Sequence, residues 1–288
     1  MGDPESKRTM LIADSGATKT DWCLVHQEKI LQRFSGKGIS PVYQSEEEIA
    51  QEIQEHVFPL LKNSAVGAIY FYGTGCIPEK IPIVKNAIQQ SFPIHAIHVY
   101  SDLMAAAHSL CGHEAGIACI LGTGSNSCEW DGEKIRKQIS PLGFILGDEG
   151  SGAALGKQLV ADALKNQLTP GLKEMLLEEY QLTAALIIEK VYRQPFPSRF
   201  LASLSPFLHR HITDVTLHRI VTQSFTAFFE RNVMQYDYHN QEVHFVGSIA
   251  WHYADSLREV AAEKGISIGQ ITQSPMEGLV RYHQAPKL

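Results

Sequence analysis

Two short turns in this sequence combine glycine with hydroxyl side chains. The first, Asp14-Ser-Gly-Ala-Thr-Lys-Thr20, follows the apolar run that begins at Leu11, and the second, Gly122-Thr-Gly-Ser-Asn126, follows the run that begins at Ala118. Glycine lets backbone come close to a ligand, and free amides together with Thr and Ser hydroxyls can cradle phosphate oxygens. A carboxylate at a strand end, as at Asp14, can hold a hydrated Mg²⁺. Taken singly, each turn reads first as a plain hairpin turn with Asp14 as a turn former. Their repetition favours two turns that grip one polyphosphate from opposite sides. Two more carboxylates, Asp102 in VYSDLMAAAHSL and Asp148 in LGFILGDEGSG, stand where a helix is about to begin. In both places a helix cap explains the position as well as chemistry does.

The elements that must position these residues read as α/β. A strand, a turn and a second strand span TMLIADSGATKTDWCLVHQEKI, and the second turn is flanked in the same way by Ala115–Leu121 and Ser125–Trp130. The pattern therefore predicts one hairpin element used once in each of two related domains. A helix is expected over 45–62, with Ser45 and Glu48 as a capping box and Ile49, Ile53, Val57 and Leu60 on its buried face. A buried strand ending in a glycine turn over 65–75 and a strand over 94–102 flank a Pro-containing helix near 79–91. After an Asp131-Gly132 hairpin, a mostly helical stretch runs from Glu149 to about Tyr236. The strand EVHFVGS, a helix from Ser248, a strand at 266–272 and a final helix capped by Ser274, Pro275 and Glu277 complete the chain. The expected domains are 9–112 and 113–288, the second with a helical insertion and the last helix open to packing back on the first.

Composition excludes several classes. At 288 residues the chain has length for two domains, and 44% apolar with 19% charged residues is ordinary for a globular protein. A net charge of −6 supplies no basic stripe, so no nucleic-acid partner is expected. No stretch approaches a membrane span, and the first ten residues lack an apolar h-region and read as a frayed leader, with Met10 open as the natural start. Five cysteines without C-x-x-C spacing suggest reduced thiols and a cytoplasmic setting. The turns are neither a P-loop nor a dinucleotide fingerprint.

The ordered series DSGATKT, GTGSN, GDEGSG and FVGSIA resembles the sugar-kinase and actin-like ATPase superfamily, and within it the N-acetylglucosamine kinases and the related acyl-CoA dehydratase activators. The resemblance spans about Thr9 to Gly278. It implies two duplicated ribonuclease H-like (actin-like ATPase) domains with ATP in an interdomain cleft. It further implies a phosphate-1 turn at Asp14, Gly16, Thr18, Lys19 and Thr20, with Asp14 at Mg²⁺. The phosphate-2 turn would hold Thr123, and Gly247 and Ser248 would form the adenosine motif. Asp102 would be the general base, and Ser40, Gly124, Ser125, Asn126, Gly143 and Asp148 would bind the sugar. Ser40 stands where many members carry asparagine, which leaves the hexosamine open.

The expected function is ATP-dependent phosphorylation of an amino sugar, N-acetylglucosamine at its 6-hydroxyl first, with N-acetylmuramic acid or glucosamine as alternatives. An activator-type ATPase coupling hydrolysis to a partner, and a non-catalytic sensor, are the other readings. A homodimer is the default assembly.

Overall fold

The computed structural model describes residues 9–16, 18–27, 29–61 and 64–285. Of the leader expected over the first ten residues, residues 1–8 lie outside them, and Thr9 and Met10 begin the first strand. The chain divides into two compact units, Met1–His113 with Pro275–Leu288, and Glu114–Ser274.

The first unit opens with β1 (Thr9–Ser15), β2 (Lys19–His26) and β3 (Lys29–Lys37), an antiparallel meander. Both faces of β1 are covered. Leu11 and Ala13 join a core with Trp22, Ile49 and Phe71, while Met10 and Ile12 join another with Cys23 and Val25. Two-sided burial is why the strand reads as a continuous apolar run. The outer strand β3 carries Lys29, Gln32, Arg33 and Lys37, which suits an edge exposed to water.

Helix α1 (Glu46–Glu52) begins with the expected Ser45/Glu48 capping box and passes through a π turn, Ile53–Val57, into α2 (Phe58–Leu61). Apolar residues four apart drift about 40° around a straight α-helix, and a π turn's wider coil takes up the drift. Ile49, Ile53, Val57 and Leu61 are thereby buried together, and Leu60, expected on that face, is 50% exposed. β4 (Val66–Gly73), α3 (Ile81–Ser91), β5 (Ile97–Ser101) and α4 (Asp102–Leu110) follow, and the sheet order is β3-β2-β1-β4-β5 with β1, β4 and β5 parallel.

The second unit repeats this plan. β6 (Gly116–Leu121), β7 (Ser125–Trp130) and β8 (Ile135–Ile139) form the meander, and α5 (Gly143–Leu146) and α6 (Gly152–Leu164) lead into the insertion, α7 (Leu172–Glu179), α8 (Ala184–Tyr192), α9 (Pro197–Ala202), α10 (Ser205–Arg210) and α11 (Val215–Arg231). β9 (Val243–Val246), α12 (Ser248–His252), α13 (Ala254–Glu263) and β10 (Ile268–Thr272) complete a sheet ordered β10-β9-β6-β7-β8. Reversed, this is the order of the first sheet, with β6, β9 and β10 parallel. Its core is built from Leu121, Leu155, Leu159, Phe225, Phe228 and Phe245.

α14 (Met276–Gln284) packs Met276, Leu279 and Val280 on the face of the first sheet that carries Met10 and Ile12. Pro275 stands at its N-cap position and itself makes no side-chain cap bond. Glu277 instead pairs with Arg33 of β3 at 2.6 Å. On the same face the Tyr72 hydroxyl lies 2.8 Å from both His108 Nδ1 and His283 Nε2, joining β4, α4 and α14. Among the described residues, no helix is long and apolar enough to cross a membrane.

Candidate functional site

In the first unit the three parallel strands end in register, at Ser15, Gly73 and Ser101. Carboxyl ends of parallel strands are where open α/β sheets bind ligands. Asp14 lies one residue inside this edge, opposite Asp21 of β2. Burial, reinforced by the charges of Asp21 and Asp102, pushes its carboxyl up to about 7 against the opposing pull of Lys19. A carboxylate so placed gains from a cation, and an oxygen donor at a strand end fits hydrated Mg²⁺.

The turn that follows is closed by Gly16 N–H to the Lys19 carbonyl at 2.9 Å, and the Thr18 carbonyl accepts from Gly38 N–H at 3.0 Å. Thr18 and Lys19 are exposed, Lys19 Nζ resting 2.7 Å from Asp21. Thr20, expected among the phosphate contacts, is completely buried. Its hydroxyl donates to the Lys37 carbonyl at 2.8 Å and meets Ser15 Oγ at 2.7 Å. Ser15 Oγ in turn bonds both the N–H and the carbonyl of Ile39 at 2.9 Å. Ser15 and Thr20 therefore weld the turn to the 38–40 segment from inside. Ser40 is also buried, at 4% exposure, with its hydroxyl donating to the Thr74 carbonyl at 3.2 Å. That bond spends its one donor and leaves only acceptor capacity for a sugar.

Asp102 opens α4, but Ser101 caps the helix, its Oγ accepting from Met104 N–H at 3.2 Å. The carboxylate of Asp102 is held by Leu103 N–H on Oδ1 at 2.8 Å and by the Thr74 hydroxyl on Oδ2 at 2.9 Å. Burial raises its pKa, and these two hydrogen bonds work against the rise. Thr74 lies in the turn Phe71–Cys76, which by sequence reads equally as a lining of the cleft or as the plain end of a buried strand. Its signal was the GTG of Gly73–Gly75, the same tripeptide as Gly122–Gly124.

In the second unit the equivalent edge gathers the other expected residues. Gly122 N–H bonds the Gly124 carbonyl at 2.9 Å, closing the turn, and the carbonyls of Gly122 and Thr123 accept from Gly152 and Ala153 at the start of α6. Asp148 adopts a left-handed φ of 56° and is mostly buried. Its Oδ1 accepts from Ser125 N–H at 3.2 Å, and its carboxylate lies against Gly124, where a Cβ would come within 3.2 Å of Oδ2. Burial raises its pKa, partly offset by the Ser125 bond. The cap of α6 is Ser151, whose Oγ accepts from Ala154 N–H at 3.1 Å, so Asp148 is free of that duty.

Asn126 lies on β7 with Oδ1 accepting from Ser127 N–H at 2.9 Å and from Gln138 at 3.1 Å. Gly143 begins α5 at φ 75° with open space where a Cβ would stand. Gly247 has φ 126°, and a Cβ there would fall 2.3 Å from the Leu121 carbonyl oxygen. Only glycine lets the turn into Ser248 and α12 cross so close to β6. Each unit thus brings its expected residues to the carboxyl edge of its own sheet.

Solved structures similar along almost the whole chain include three of note. A candidate N-acetylglucosamine kinase from Porphyromonas gingivalis shares 48% identity at a TM-score of 0.93, over 96% of this chain and 98% of the other. A candidate N-acetylglucosamine kinase from Chromobacterium violaceum shares 17% at 0.74, over 96% and 99%. A ROK family glucokinase from Streptomyces griseus, solved with glucose and AMPPNP, shares 18% at 0.60, over 96% and 99%. The last two are likenesses of fold. No protein-family model matches the chain, and comparison with curated proteins finds no match.

Proposed function

The chain is an N-acetylglucosamine kinase-like member of the sugar-kinase and actin-like ATPase superfamily, and from that premise we propose that it transfers the γ-phosphoryl group of ATP to the 6-hydroxyl of N-acetylglucosamine. The observation that carries this reading is the state of Asp102: a half-buried carboxylate on the first residue of α4, relieved of capping by Ser101 and oriented by Thr74. A sugar hydroxyl is a weak nucleophile, and a positioned carboxylate removes its proton as it attacks phosphorus.

The hydroxyl oxygen forms the new P–O bond, the bond from phosphorus to the β–γ bridging oxygen breaks, the proton passes to Asp102, and ADP leaves. Gly16, Thr18 and Lys19 would receive phosphate oxygens through backbone and side-chain donors, with Thr123 doing the same in the second unit. Gly247 and Ser248 would take the adenosine end. Asp14 would hold Mg²⁺, which supplies neutralisation of phosphate charge when bound.

Asp148 and Asn126 would read sugar hydroxyls, aided by the backbone of Gly124, Ser125 and Gly143. Asn126 has its oxygen committed to Ser127 and Gln138 and offers its N–H₂ group as donor. A pocket built on such pairings discriminates strongly, because a wrong ligand leaves buried polar groups unpaired. Dependence on ATP accords with a cytoplasmic setting.

The test is identification of the product by phosphorus NMR and mass spectrometry after incubation with Mg²⁺-ATP and N-acetylglucosamine. The reading requires a sugar 6-phosphate in step with ADP. ATP consumed with inorganic phosphate as the sole new product would refute it.

A further inference from the structure

The turn that carries Asp148 is conformationally expensive. Asp148 at φ 56° and Gly150 at φ 74° are both left-handed, and they flank Glu149. A non-glycine residue in this region persists only where its surroundings hold it. Asp148 N–H donates to the Pro141 carbonyl at 2.9 Å and the Asp148 carbonyl accepts from Ser151 N–H at 3.1 Å, while residues 149 and 150 are held by one stripe of α11, with Leu121 also against Gly150.

Ser224, Phe228 and Arg231 follow at spacings of four and three, so they share a face. Ser224 Oγ accepts from Gly150 N–H at 3.0 Å. Phe228 packs against the Cα side of Gly150, where an added Cβ would lie 3.1 Å from the Phe228 Cβ. Arg231 meets Glu149 at 3.0 Å, with the Glu149 side chain largely buried and that of Arg231 62% exposed. A half-open pocket of about 340 Å³ is lined by Gly147, Glu149, Ser224 and Arg231 among others.

The turn's other side faces the second phosphate-type loop, where Asp148 Oδ1 takes the Ser125 N–H and its carboxylate covers Gly124. Resting on the kinase reading above, we infer that Ser224 and Arg231 are positioning residues for sugar recognition, fixing the Asp148 carboxylate through residues 149 and 150 although neither contacts Asp148 itself. Phe228 belongs to the core of the unit and is the structural member of the stripe. Ser224 contributes more than Arg231, since an exposed guanidinium holds an ion pair weakly.

The test uses the full chain and its Ser224→Ala, Arg231→Gln and Arg231→Lys variants, assayed for N-acetylglucosamine-dependent ADP release, with hydrogen exchange followed at the Ser125 amide. Ser224→Ala should raise the KM for the sugar about tenfold, as loss of one such hydrogen bond does. The KM for ATP and kcat at saturating sugar should stay within about twofold, and Ser125 exchange should quicken. Arg231→Gln should do the same more weakly, and Arg231→Lys should restore most of it. An unchanged sugar KM in Ser224→Ala, or equal rises in both KM values with a lowered Tm, overturns this inference alone. A parent chain that releases no ADP in response to any amino sugar overturns the kinase reading and this inference with it.

Discussion

Thr74 donates its hydroxyl hydrogen to Asp102 Oδ2 at 2.9 Å, while its own N–H is fixed to the Ser15 carbonyl at 3.0 Å. One residue of the β4 turn thereby ties the carboxylate on α4 to the end of β1, one position from Asp14. Thr74→Ala should lower sugar-dependent kcat about tenfold by freeing the carboxylate to turn, and Thr74→Ser should recover most of the rate. Equal rates in the alanine and serine variants would contradict this.

Asp102→Asn should lower sugar phosphorylation by about 10²- to 10⁴-fold, roughly 3 to 5 kcal/mol of barrier. Stability should move the other way. The folded pKa of Asp102 lies above the ordinary 3.8 because of burial. Its contribution to stability is therefore fully present below 3.8 and lost as pH rises through the folded value. At pH 8 the ionised carboxylate is a cost, and asparagine removes it, so Tm should hold or rise. Ser101→Ala should instead lose about 1 kcal/mol of stability with the helix cap. A Tm loss in Asp102→Asn as large as in Ser101→Ala would make Asp102 a structural residue.

His108 sets a pH limit on the first unit. Burial, with the charge of His113, pushes it down from 6.5 to about 3. Between those values the unfolded chain binds a proton that the folded chain refuses. The stability is whole above pH 6.5 and drains as pH falls toward 3, with a slope of up to about 1.4 kcal/mol per pH unit. Urea unfolding at pH 7.5 and 5.5 should show this slope, flattened in His108→Gln. The same slope in both chains would place the effect elsewhere.

Gly247→Ala places a Cβ 2.3 Å from the Leu121 carbonyl and asks alanine to hold φ 126°. The second unit should lose at least about 2 kcal/mol or shift its α12 turn. ATP binding, measured by calorimetry, should weaken more than sugar binding. Unchanged ATP affinity would remove Gly247 from the nucleotide site.

The repeated strand-turn-strand pattern was legible because two-sided burial writes β1 and β6 as apolar runs, and each ends in a glycine turn whose composition differs sharply from its flanks. The roles of Asp102 and Asp148 were left open because a cap and a site look alike in one dimension. Ser101 and Ser151 do the capping, one position before Asp102 and three after Asp148, so a cap no longer accounts for either carboxylate. The resemblance places Thr20 and Ser40 at the ligand, yet long-range bonds to Lys37 and Thr74 turn their hydroxyls inward. The final helix carries the same lesson: Glu277 looked like a cap residue, and a partner 244 positions away, Arg33, claims it. The contact from α11 to the Asp148 turn was invisible for the same reason, joining segments that only the fold brings together.

The central claim is most directly tested by ADP release from the purified chain with Mg²⁺-ATP, offered N-acetylglucosamine, N-acetylmuramic acid, glucosamine, glucose or no sugar. Strong stimulation by N-acetylglucosamine above the other sugars, with little release in the absence of sugar, is the expected result. ADP release that is equal with and without every sugar would contradict it.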